Sequence, residues 1–127
     1  MPSVFLDAFE TYVLALRQTP LDQHTEMTGR AALEALLNHF KPTRATVTHE
    51  PKRAQAKGAP DFKIGQAGQV LGYVENKAIG ENLDAVLRSD QIKKYQTLSG
   101  NIIVTDYLRW VWLKDRKVIA DARLGET

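Results

Sequence analysis

Apolar residues recur along this chain with two different periods, and the change from one to the other divides it. Between residues 3 and 18, Phe5, Phe9, Tyr12, Val13 and Leu16 fall three or four apart, the spacing of one helix face, with Ser3 as the N-cap and Pro20 as the stop. A second helix is predicted over about 24–40, with Leu33, Leu36, Leu37 and Phe40 as its stripe and Pro42 ending it. Followed backwards, that stripe reaches Arg30 and Glu26, which sets two charges on the core-facing side near the helix start. One reading is an i,i+4 ion pair favoured by the helix dipole. The sharper one has Glu26 holding metal-bound water and Arg30 facing phosphate or orienting an acid.

Beyond Pro42 the period falls to two. Residues 43–50 alternate as a β-branched strand that Pro51 ends, and Lys52 to Ala59 form a basic loop. Residues 60–66 and 69–78 read as a hairpin turning at Gly65 to Gly68, with Pro60 at the first strand position, where a missing N–H is tolerated. A helical region with Leu83, Val86 and Leu87 follows, and Ser89 caps a further helix in which Gln91 and Tyr95 share a face, Ile92 and Leu98 pack inward, and Gly100 is the stop. Asn101 to Val104 is a short unbroken apolar run, as in a strand covered on both sides. Tyr107 to Leu113 and Lys117 to Ala122 are two more strands around a turn at Asp115-Arg116; Trp110 and Trp112 share a face and read as core or partner contacts. This order predicts an α/β fold, a sheet with helices packed on it.

The hairpin gathers the chemistry. Glu75 and Lys77 are two apart on one strand and share a face with Leu71 and Tyr73, while Asn76 points away; Asp61 lies across the pair from Glu75. Two carboxylates and an ammonium at one sheet edge suit a divalent metal and a phosphodiester. Mg²⁺ needs few protein oxygens because it keeps several waters, so Asp61, Glu75 and the Asn76 carbonyl suffice, with Mn²⁺ as a substitute. Lys77 would then offset charge in the transition state. The plainer alternative is a Glu75–Lys77 salt bridge with Asp61 as a turn residue.

Composition narrows the field. A chain of 127 residues, 43% hydrophobic and 25% charged, is one domain with a core of its own, 1–127. Cysteine is absent, which excludes disulfides and thiolate metal sites. Without an apolar run long enough to span a bilayer, or a basic-then-apolar N-terminus, the expected setting is the cytoplasm, with no membrane partner. A net charge of +2 does not announce a nucleic-acid binder, but Lys52, Arg53, Lys57 and Lys63 cluster before and within the hairpin, and Lys93 and Lys94 sit on the later helix. No glycine-rich phosphate loop follows a strand, which argues against a small-molecule phosphate enzyme.

Pro60-Asp61 with Glu75-x-Lys77 resembles the metal-site signature of the PD-(D/E)xK nuclease superfamily. A closer resemblance is to the Mrr-like nuclease domain at the N-terminus of type ISP restriction-modification enzymes. It is carried by Thr25 to Arg30, Gly58 to Phe62, Gly72 to Lys77, Gln91 to Tyr95 and Ile103 to Tyr107, across about residues 24–113. Gly29 departs from what a helix would prefer there.

The resemblance implies a restriction-endonuclease-like fold, a central mixed sheet flanked by helices, and a Mg²⁺-dependent endodeoxyribonuclease. It implies catalytic roles for Asp61, Glu75, Lys77 and Gln91, with Tyr95 on less support facing the same site; Glu26, placed by the helix stripe, is a further catalytic candidate. The partners expected are DNA and, in the same polypeptide, a translocase, a methyltransferase and a target-recognition part, so the chain is an excised domain or a stand-alone relative. Arg30, Lys52, Arg53, Lys57, Lys63, Lys93, Lys94 and Tyr95 are the candidate DNA contacts. Their types suit phosphates, so cleavage is expected as nicking without sequence preference. The second reading is a module of this fold that binds DNA or protein without cutting.

Overall fold

The computed structural model describes residues 4–49 and 60–124. Within them, six strands form one sheet in sequence order: β1 Thr46–His49, β2 Phe62–Gln66, β3 Gln69–Asn76, β4 Asn101–Thr105, β5 Arg109–Lys114 and β6 Lys117–Arg123. Neighbours run antiparallel except β3 and β4, which are parallel. A parallel pair needs a crossover, and the helices α3 Leu83–Leu87 and α4 Asp90–Tyr95 supply it. Helices α1 Val4–Leu16 and α2 Arg30–Phe40 pack on the opposite face. The sheet is mixed and flanked by helices.

Each face has its own core. Tyr12, Leu16, Leu33, Leu36 and Leu37 meet Phe62, Val74 and Tyr107 on one side; Leu83, Ile92 and Tyr95 meet Ile102, Val104, Val111 and Leu113 on the other. Fully burying one such aliphatic side chain is worth about 2 kcal/mol, so the alternation along β3 and β4 is what holds the helices down. Strand β4 is buried at Ile102 and Val104 and half-buried between them, as its apolar run requires. Ser89 caps α4, its hydroxyl accepting from Ile92 N at 3.3 Å.

Turn chemistry sets the hairpins. Ala67 and Gly68 have φ of 53° and 78°, and Asp115 and Arg116 of 50° and 70°, the left-handed pairs that tight two-residue hairpin turns need. The first turn therefore occupies two residues, and Gly65 and Gln66 belong to β2.

Other boundaries also differ from the expected ones. Helix α2 begins at Arg30, not near residue 24. Upstream, Thr28 Oγ1 accepts from Thr25 N at 2.8 Å and Thr25 Oγ1 accepts from Met27 N at 3.2 Å, so hydroxyls occupy the amides a helix would use. Gly29 is explained by the same corner: a Cβ there would lie 2.8 Å from both Leu16 Cδ2 and Tyr107 Cε1. Strand β1 begins at Thr46 rather than at 43 because Ala45 N turns back to Pro42 O at 2.9 Å, and residue 50 lies outside the described residues. Helix α4 stops at Tyr95 rather than at Gly100, and Leu98, beyond it, is 48% exposed instead of packed inward. Asp61 sits one residue before β2.

Trp110 and Trp112 share a face of β5 and, with Phe9, Leu36, Leu37 and Phe40, line an apolar groove of about 640 Å³. No helix among the described residues is long and apolar enough to cross a membrane.

Candidate active site

Strand pairing brings the carboxylates together. Phe62 lies opposite Val74, so the preceding residue, Asp61, meets Glu75, and its backbone N–H donates to Glu75 Oε1 at 3.2 Å. Asp61 Oδ2 in turn accepts from Asn76 N at 2.8 Å. Both side chains are about 5% exposed. They sit at the carboxyl end of β3, beside its parallel neighbour β4, the end of a parallel pair at which α/β sheets open their ligand crevices.

Lys77 lies just past β3, but its N–H donates to Thr105 O at 2.8 Å, carrying the β3–β4 ladder one residue further. Its Nζ reaches Glu75 Oε2 at 3.4 Å and donates to Gln91 Oε1 at 3.0 Å, so α4 delivers Gln91 to the same ammonium. The structure thus gathers Asp61, Glu75, Lys77 and Gln91.

Arg30 approaches from the opposite face. As the first residue of α2 it is 8% exposed, and its Nη2 donates to Asp61 Oδ1 while its Nε donates to Asn76 Oδ1 at 3.1 Å. Glu26 Oε1 is 3.7 Å from Nη2. The pair is formed, but Glu26 sits in the turn before the helix, not on a helical stripe. Asn76 is fully buried, and its Nδ2 donates to Glu26 O at 2.8 Å and reaches Tyr107 Oη at 3.0 Å; Tyr107 Oη also donates to Glu26 O. Tyr107 is aimed by its φ of 78°, held by Asp106 Oδ1, which accepts from Arg109 N at 2.7 Å.

Burial dominates the electrostatics. The Glu75 carboxyl is pushed up to about 8, first by desolvation and then by the charge of and hydrogen bonding with Asp61, against the pull of Lys77. Glu26 is raised as well, by desolvation first. Burial raises the Tyr107 hydroxyl to about 12 although Arg30 opposes it, and Tyr95 is raised by burial and by the Glu75 and Asp61 charges.

This geometry revises several of the expected DNA contacts. Arg30 is buried and turned to Asp61, so it orients the acid instead of facing phosphate. Tyr95 is 1% exposed with its ring in the core under β4, which removes it as a surface contact. Lys63 shares a face with Tyr73, on the Glu75 side, and Lys93 and Lys94 are exposed on α4. Lys52, Arg53 and Lys57 lie outside the described residues.

Two contributors escaped the sequence reading. His49 Nε2 lies 3.1 Å from Arg30 Nη1, and Tyr107 holds Asn76. Only register could have signalled His49, through its place opposite Phe62.

Among the described residues no three His, Cys, Asp or Glu side chains come together as a metal cage. Two buried carboxylates, with the Glu75 pKa raised by burial first and by Asp61 next, suit Mg²⁺ or Mn²⁺ together with a backbone carbonyl and waters, rather than a metal needing a full protein cage.

No family model matches the chain, and no curated protein does. Among solved structures, the chain is similar to one in a cryo-EM structure of a DrdV–DNA complex, with a TM-score of 0.74 and 20% identity over 96% of this chain and 12% of that one. A likeness of that degree shows the fold, which is restriction-endonuclease-like. The chain spans about an eighth of that neighbour's length.

Proposed function

We propose that this chain is a metal-dependent endodeoxyribonuclease domain of the PD-(D/E)xK type, the Mrr-like nuclease module of a type ISP restriction-modification enzyme. The observation that carries the reading is the buried Asp61–Glu75 pair with Lys77 Nζ 3.4 Å from Glu75 and 3.0 Å from Gln91. A core carboxyl pair without a catalytic task is costly, since each acid disfavours the charge of the other. The solved neighbour is a complex with DNA, which is the substrate assigned here.

Asp61, Glu75 and the Asn76 carbonyl would hold Mg²⁺ or Mn²⁺, which when bound supplies Lewis acidity at a phosphate oxygen and a more acidic water. Arg30 and the Asn76 amide each take one oxygen of Asp61 and so fix the plane of its carboxyl group. Gln91 and Glu75 aim the Lys77 ammonium, whose remaining proton donates to the attacking water or to a phosphate oxygen as negative charge builds. The attacking water gives up one proton to solvent as its oxygen forms the new bond to phosphorus, the bond to the leaving sugar oxygen breaks, and that oxygen takes up a proton from solvent water. One such cluster cuts one strand per encounter. The exposed Lys93 and Lys94 touch phosphates, which carry no sequence, so the product is a nick at unselected positions, formed more slowly as salt rises.

Arg30 favours a second reading: a guanidinium already neutralises Asp61, as it would in a module that binds without cutting. Supercoiled plasmid with Mg²⁺ or Mn²⁺ separates the two. Nicking that Asp61→Ala and Glu75→Ala both abolish, with loss of calorimetric Mn²⁺ binding in both, is the expected result. Intact plasmid under every metal condition leaves the binding module.

A further inference from the structure

Arginine donates hydrogen bonds and never accepts them, so every polar atom within reach of its guanidinium must offer a lone pair. Around Arg30, Nη2 meets Asp61 Oδ1, Nε meets Asn76 Oδ1 at 3.1 Å, and Nη1 meets His49 Nε2 at 3.1 Å. The last contact fixes the chemistry of the imidazole. An imidazole that accepts from Nη1 does so through an Nε2 lone pair, with its ring proton on Nδ1.

The same pairing seats His49 and Asp61. His49 ends β1 directly opposite Phe62, the residue after Asp61, with ring centroids 5.3 Å apart. Glu26, 3.7 Å from Arg30 Nη2, and the backbone amide on Asp61 Oδ2 complete the surroundings. Each edge of the guanidinium is therefore spoken for: two by groups at the carboxyl end of β3, and the third by β1. The third hydrogen bond narrows the swing that the side-chain stem and the other two bonds still allow.

We propose that His49 is a positioning residue for Asp61, acting through Arg30. It accepts from Nη1, narrows the swing of the guanidinium plane, and so keeps Asp61 facing Glu75. Its kinetic consequence rests on the nuclease reading above; its tautomer does not.

The two parts are tested separately. Nitrogen-15 NMR of the histidine rings in the full chain should show His49 neutral with the proton on Nδ1, and the Arg30 Nη1 protons protected from exchange. In His49→Leu, which keeps an apolar side chain against Phe62, that protection should be lost. In plasmid nicking with Mn²⁺, His49→Leu should lower kcat about tenfold with KM for DNA within about twofold, and His49→Gln, whose Oε1 accepts at similar reach, should recover to within about threefold of wild type. A proton on Nε2 in the wild type overturns the proposal, as does a His49→Leu enzyme of wild-type kcat or a His49→Gln enzyme no better than His49→Leu. If the wild type does not cut, the nuclease reading fails, and the tautomer with the Arg30 exchange decides this proposal alone.

Discussion

Two arginines in this molecule each face two acids, and they show what burial does to an ion pair. Arg109 has the better geometry: its Nε and Nη2 reach the two oxygens of Asp121 at 3.0 and 2.8 Å, and Nη2 reaches Asp84 at 3.0 Å. Its acids, however, are 41% and 63% exposed. Water competes there for every bond, and such pairs are worth about 0–1 kcal/mol. Arg30 makes only one bond to Asp61, but both side chains are less than a tenth exposed, and Asn76 and His49 take its other edges. The buried pair gains little over an apolar replacement, yet losing one member strands a charge away from water. Burial, rather than bidentate geometry, sets the cost of breaking each.

The largest expected effect is therefore on stability at Arg30. Arg30→Met should cost about 3–5 kcal/mol in urea denaturation, and adding Asp61→Leu should recover most of the loss, because the double variant leaves no lone charge. A single variant as stable as wild type would erase the contrast with Arg109.

Lys77 is about as exposed as Arg109, its side chain 14% against 13%, and the proposed function gives it a kinetic role. Lys77→Ala should reduce nicking by about two orders of magnitude, near 3 kcal/mol, while calorimetric Mn²⁺ affinity stays at the wild-type value. Wild-type nicking by this variant would return the Glu75–Lys77 contact to a plain salt bridge.

Glu75 sharpens the comparison through pH. In an unfolded chain it titrates near 4.3, and in the fold at about 8, so folding favours the protonated form. The stability this contributes is complete below the unfolded value and is lost as pH rises to about 8. Without metal, the melting temperature should decline across that window, and Glu75→Gln should flatten the decline and gain on the order of 1–2 kcal/mol at its upper end. Parallel melting curves for the two proteins would count against the assignment.

The smallest effect belongs to the exposed pair. Asp121 is held below its ordinary value by its hydrogen bonds with Arg109, so its contribution is present above the unfolded value and is lost as pH falls through the folded one. After allowance for solvent, Asp121→Ala should cost less than about 1 kcal/mol, and added salt should shrink the difference. A cost rivalling that of Arg30→Met would show that geometry outweighs burial after all.

Sequence by itself determined the strand and helix alternation, the Ser89 cap, and the Asp61, Glu75 and Lys77 set, because these follow from periods of two and 3.6 and from turn residues close in the chain. Tertiary structure alone decided where α2 begins, why residue 29 has no side chain, and which way Arg30 faces. Each of those depends on groups far apart in sequence: Arg30 on Asp61, 31 residues on, and Gly29 on the Tyr107 ring delivered from the β4–β5 corner. A helical stripe shows that a charge lies on the inward side. Whether it meets phosphate, solvent or an acid is fixed only when the sheet register and the packing of the helix upon it place the partners.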